Sequence, residues 1–102
     1  MNIKPFAQKV IEDRRLVLLR LLSEQRAQTA NSSVLHMGLH YIGVMCERYE
    51  VLDDLRHLQL HGLITLEQAI DTVYVARLQG RGEDVLAGAV QVDGVSRPRR
   101  GV

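Results

Sequence analysis

Residues 46–78 read CERYEVLDDLRHLQLHGLITLEQAIDTVYVARL, and this stretch decides the fold. Its first half places Val51, Leu55 and Leu58 at i, i+4 and i+7, which is one stripe of an α-helix. Gly62 follows the last turn, where a left-handed residue commonly closes a helix. Residues 63–66 and 73–78 then supply the β-branched and aromatic side chains of two short strands. Glu67, Gln68, Ala69, Ile70, Asp71 and Thr72 connect them. A helix feeding a two-stranded hairpin is the second half of a winged helix-turn-helix. The fold expected is therefore mainly α with a small β-hairpin, an α+β chain.

Upstream, Asn31 reads as the N-cap of a second helix with Val34, Leu35, Leu39 and Ile42 inward. Gly43 ends it, Val44 and Met45 form the turn, and Cys46 or Glu47 opens the third helix. Gln28, Thr29 and Ala30 suit a short extra strand. Pro5 opens a first helix, running from Phe6 to about Ser23, because its missing N–H would be unpaired there anyway. Ala7, Ile11, Leu18 and Leu22 mark its apolar face, widened by Val10, Val17 and Leu21. Leu16 and Leu19 fall off that face. Two readings account for them: burial by the rest of the domain, or contact with a second copy of the chain.

Downstream, residues 79–89 form a weak final helix with Val85, Leu86 and Ala89 as its apolar stripe. Gly80, Gly82 and Gly88 each cost about 1 kcal/mol relative to Ala inside a helix, so this one depends on a neighbour. Residues 1–91 are expected to form the winged-helix domain. Residues 92–102, VDGVSRPRRGV, are expected to be a short, basic, flexible tail.

A chain of 102 residues is one domain by default. With no Trp and one Phe, its core must be aliphatic, led by leucine. The single cysteine, Cys46, cannot form an internal disulfide, which fits a reducing compartment. No apolar run approaches the ~18–20 residues that span a membrane. The first ten residues carry charges and no continuous apolar stretch, unlike a signal peptide, so a cytoplasmic protein is expected. The net charge of +1 is uneven: residues 1–26 carry +3, residues 47–84 carry −4 and residues 92–102 carry +2. A DNA reader normally shows a basic face, yet the segment holding the third helix is the acidic one.

Two histidine pairs, His36 with His40 and His57 with His61, have the i, i+4 spacing that binds zinc when a further ligand joins. Met37 and Gly38 follow His36, so there is no HExxH, and Cys46 stands alone. No metal site and no cofactor are expected. Asp53 and Asp54 are adjacent, so they diverge by about 100° on a helix and cannot clasp one ion together. Gly80-Arg81-Gly82 lacks the lysine and spacing of a phosphate-binding loop. The chain is expected not to be an enzyme, which leaves recognition.

With Val51, Leu55 and Leu58 inward, the third helix turns Tyr49, Asp53, Arg56 and Leu60 outward. In a DNA-reading helix-turn-helix this face enters the major groove. Arg48, Tyr49, Asp53, Arg56 and His57 are the candidates for the reading helix. Arg77 beside the hairpin, with Arg97, Arg99 and Arg100 of the tail, would add phosphate contacts. Against this, Glu47, Glu50, Asp53 and Asp54 oppose phosphate, and Leu60 has no evident use there. The alternative is a protein-interaction module that meets a host or phage protein through Tyr49 and Leu60. A homodimer through Leu16, Leu19 and Leu86 of the first and last helices completes the expectation.

The chain also carries EDRRLVLLRLL at residues 12–22, NSSVL at 31–35, then Arg48, Val51, Asp54-Leu55 and Leu58. GLITLE, VYVARL, Gly82-x-x-Val85 and the Val-x-Arg-Pro-Arg run at 95–99 follow. In this order and spacing, over nearly the whole length, it resembles the small winged-helix proteins of Mu-like phages and prophages, described as ArsR-like transcriptional regulators. The resemblance implies a winged helix, a phage or prophage origin and a regulator that binds double-stranded DNA. The wider metal-sensing repressors use cysteine clusters that this chain lacks, so metal regulation is not carried over. Leu52 stands where a polar, often basic residue is expected on the reading helix.

Overall fold

The computed structural model describes residues 3–99. They form four α-helices and a three-stranded antiparallel sheet: α1 (Phe6–Ser23), β1 (Thr29–Asn31), α2 (Ser32–Tyr41), α3 (Arg48–Leu60), β2 (Ile64–Ile70), β3 (Val73–Leu78) and α4 (Gly80–Leu86). The strand order is β1-β3-β2, so the short strand before α2 docks on the hairpin that follows α3. This α+β order matches the winged-helix expectation.

Local sequence sets the helix ends. Pro5 precedes α1, and its carbonyl accepts the Lys9 N–H at 3.1 Å. The Asn31 side chain caps α2 by accepting from Val34 N–H at 2.8 Å. At its far end, Gly43 adopts φ +87°, donates to the His40 carbonyl at 3.0 Å, and lets Val44 reach back to Leu39 at 2.8 Å. That pair of bonds closes a helix only if the residue after its cap is left-handed, a conformation glycine takes without a Cβ penalty. Gly62 ends α3 with the same two bonds. A capping box joins Glu47 and Glu50 at the start of α3.

The first helix is the centre of the molecule, and α2, α3, α4 and the sheet all pack on it. Its second half is therefore buried on more than one side: Leu16, Leu18, Leu19 and Leu22 all lie in the core. This corrects the dimer assignment. Leu19 is fully enclosed by its own chain and Leu16 is buried, while Leu86 is half-buried against the same cluster. Earlier in α1, Ala7, Phe6 and Val10 are exposed, because the helix, about 27 Å long, runs past the body it supports.

Three further expectations change. Val34 and Ile42 are exposed, and only Leu35 and Leu39 of the expected set face inward from α2. The hairpin strands extend through most of the expected connection: Ile70 pairs with Val73, after an irregularity between Gln68 and Ile70. Asp71, at φ +49°, makes the tight turn. This outer half is exposed on both faces, so no apolar alternation marks it in the sequence. Finally, residues 92–99 pack on the domain where a flexible tail was expected. Val92 and Val95 join the core, Ser96 N–H donates to the Glu12 carbonyl at 3.2 Å, and the Ser96 hydroxyl donates to the Asp13 carboxylate.

The most deeply buried charged group in this aliphatic core belongs to α3. Asp54 of α3 is 1% exposed, and Arg14 of α1 is 6% exposed. Arg14 Nε donates to one Asp54 oxygen at 2.5 Å and Arg15 Nε to the other at 3.1 Å. Burial works against the Arg14 charge, but the hydrogen bond and charge of Asp54 outweigh it and hold the guanidinium pKa above its ordinary value. Removing one partner of such a pair strands a buried charge. Asp54→Ala is expected to destabilise the fold by about 3–5 kcal/mol in urea denaturation. Arg14→Met combined with Asp54→Leu is expected to recover much of the loss, since the more deeply buried guanidinium goes with the carboxylate, and Arg15, 15% exposed, keeps the Gly94 carbonyl at 3.0 Å. A double variant no better than Asp54→Ala would count against this account.

Candidate nucleic-acid interface

The inward stripe of α3, Val51, Asp54, Leu55 and Leu58, fixes which side faces out. Tyr49 (65% exposed), Asp53, Arg56 and Leu60 (81%) occupy that side. Arg48, the first residue of α3, donates to Ser33 Oγ at the beginning of α2 at 3.3 Å. Arg56 sits over the Tyr74 ring, 5.6 Å from its centroid, with Nη2 3.5 Å from the phenol oxygen. It also lies 4.0 Å from Asp53, one turn back. The face is thus continuous from α2 through α3 to β3.

The carboxylates expected to repel phosphate do not all stand on this face. Asp54 points inward under the two arginines. Glu50 accepts the Glu47 N–H at 3.0 Å and lies 3.6 Å from Arg14. Glu47 caps the helix start. Asp53 alone shares the outward face with Arg56. Leu52 is half-buried, between the core and the surface.

The other expected contacts are dispersed. His57 is half-buried, and its Nε2 lies 2.9 Å from the Asp93 carbonyl, so it ties residues 92–96 to α3. Arg77 is in register with Thr65, on the sheet face opposite to Ala76 and Leu78, and donates to Thr29 Oγ1 at 3.1 Å. That face is turned away from Arg56 and Tyr74. Arg97 and Arg99 line a cleft with Asp13, Leu16, Val17 and Arg20 of α1. Arg100 lies outside the described residues. Sequence reading missed Tyr74, although its period-two phase with Ala76 and Leu78 already put it on the helix side of the sheet. It also missed the exposed apolar row Val34, Met37 and Tyr41 on α2, which the i, i+3, i+7 spacing contains.

Among the described residues no helix is long and apolar enough to cross a membrane. No family model matches the chain. It is 40% identical over 88 residues to the uncharacterized protein gp26 of Escherichia phage Mu, covering 86% of this chain and 90% of that one. It is 37% identical over 76 residues to an uncharacterized protein of Haemophilus influenzae, covering 74% of each. Two solved structures, described as the complex structures of hsRosR-S1 and hsRosR-S4, superpose with TM-scores of 0.64 and 0.62. They cover 78% and 79% of this chain and 70% and 71% of theirs, at 15% and 16% identity, so the likeness is one of fold.

The contact between His57 and residues 92–96 is tight. Gly94 has φ +82°, and a Cβ there would stand 2.5 Å from His57 Nε2 and 2.9 Å from Arg15 Nη1. Gly94→Ala is expected to cost more than ~1 kcal/mol in chemical denaturation, because both the backbone and the space are wrong for it. Hydrogen exchange should show residues 92–96 losing protection first. An unchanged exchange pattern would refute the anchoring role.

Proposed function

The chain belongs to the family of the phage Mu protein gp26, and from that premise we propose that it is a winged-helix, ArsR-like regulator that reads double-stranded DNA with α3. The observation that carries this reading is the inward disposal of acidic charge. With Asp54 buried and Glu50 turned to Arg14, the outward face of α3 offers Arg48, Tyr49 and Arg56 to a groove, opposed by Asp53. Arg56 is held in place by Tyr74, and a pre-positioned guanidinium suits bidentate contact with guanine. The hairpin beyond Tyr74 would follow the backbone as the wing. The fold shared with the hsRosR complexes agrees with this scaffold.

A homodimer belongs to the reading, since two copies let a helix-turn-helix span two half-sites. With Leu16 and Leu19 in the core, the exposed Phe6 and Val10 of α1 are the residues left on that helix for a second copy. A protein-interaction module is the second reading. The exposed Val34, Met37 and Tyr41 of α2, with Met45 and Tyr49 exposed as well, favour it, because phosphate has no use for an apolar row.

Fluorescence anisotropy on mixed genomic fragments separates the two. The DNA reading expects salt-sensitive binding, its log–log salt slope falling by about 1 for Arg48→Ala or Arg56→Ala if each meets one phosphate. If either contact is to a base, sequence preference should also relax, by about 1–3 kcal/mol at that position. Arg77→Ala, on the far side of the sheet, should leave the slope unchanged. Absence of binding at low ionic strength would sink this reading, and a partner lost on Tyr41→Glu would support the other.

A further inference from the structure

The turn between α2 and α3 brings together three side chains that the sequence keeps apart. His36 and His40 lie one turn apart on α2, and their rings meet edge to face with centroids 4.3 Å apart. Gly43 reverses the chain immediately after the helix, which returns Cys46 to the same spot. His36 Nε2 is 2.8 Å and His40 Nε2 3.0 Å from the Cys46 carbonyl oxygen, so both imidazoles converge on one residue. The donor atoms His Nδ1 or Nε2 and Cys Sγ all lie within 4.8 Å of one another. Around a tetrahedral zinc ion such donors stand roughly 3.3–3.7 Å apart, given metal–ligand bonds of about 2.0–2.3 Å. Side-chain rotation of about an ångström closes that gap. Glu47 and Glu50 line the same cleft. The expectation of no metal site rested on the want of a third ligand, and Cys46 lies within reach of both histidines.

We propose that His36, His40 and Cys46 form a three-ligand site for one divalent transition-metal ion of the zinc type, joining the end of α2 to the start of α3. Imidazole nitrogen and thiolate sulfur together select zinc-like ions over magnesium or calcium, which take oxygen ligands. Glu50 is engaged with the Glu47 N–H and faces Arg14, so it leaves the fourth position to water or an added ligand. His57 and His61, the other i, i+4 pair, have no cysteine grouped with them among the described residues. The site stands whether or not α3 reads DNA.

The test uses tag-free full-length protein stripped with chelator, then titrated with cobalt(II) alone and zinc(II) alone. One cobalt per chain is expected, with a sulfur-to-cobalt charge-transfer band that zinc displaces. Cys46→Ser should abolish the band. His36→Ala and the exposed His40→Gln should weaken binding by roughly 10-fold or more, since even outer-shell partners cost that much. His61→Ala should change nothing. Circular dichroism checks each fold, and His40→Gln keeps the test open should Cys46→Ser misfold. Sub-stoichiometric zinc, a band that survives Cys46→Ser, or binding lost in His61→Ala would each overturn the proposal.

Discussion

The arrangement of this protein depends on one carboxylate. Asp54 sits on the inner side of α3, against an aliphatic core led by leucine, and is held there by Arg14 and Arg15 of α1. Apolar contacts alone would let α3 roll or slide on α1 with little loss, because leucines repack. A charge that must meet two fixed guanidiniums admits one rotation and one register. Arg15 extends the constraint, since its Nη1 donates to the Gly94 carbonyl at 3.0 Å and so fixes residues 92–96 as well. The outward face of α3 is set by what its inward face must satisfy. The same contact accounts for part of the uneven charge: Arg14 and Arg15 of α1 and Asp54 of α3 meet one another inside the domain.

Legibility in the sequence followed the range of the interaction. Asn31, Gly43 and Gly62 act on residues within a turn of themselves, and the ends of α2 and α3 fell where those residues placed them. β1 was equally local, shifted by one residue from the expected position. The inward face of α1 was not readable, because a central helix has no single outside and its apolar residues carry no clean period. Asp54 read as one more surface acid because its partners lie 40 and 39 positions away. Residues 92–99 read as a tail for the same reason: short, basic and Pro/Gly-bearing, they show their order only in contacts with α1 and α3.

The candidate interface divides along the same line. Arg48, Tyr49, Asp53 and Arg56 follow from helical phase alone, and α3 presents them together. His57 shares nearly the same phase, but the returning C-terminal segment claims its ring. The arginines farther along the chain were grouped by charge, which carries no direction. The sheet turns Arg77 to the opposite side, and α1 receives Arg97 and Arg99.

The hairpin has an effect on how copies of the protein coexist in solution. β2 is the edge of the sheet along all of Ile64–Ile70, a run of about 23 Å whose free N–H and C=O groups offer a template to any passing strand. On the other margin, β1 covers β3 from Val75 to Arg77, and the Ser32 hydroxyl accepts the Tyr74 N–H at 3.0 Å where β1 stops. The open margin of β2 is spoiled by other means. The irregularity between Gln68 and Ile70 breaks the even spacing that strand addition needs, Glu67 places a charge mid-strand, and the left-handed Asp71 bends the tip. A projecting ribbon with an exposed Ile70 would otherwise stack edge to edge. Built this way, it reaches into solvent while resisting growth into a longer sheet.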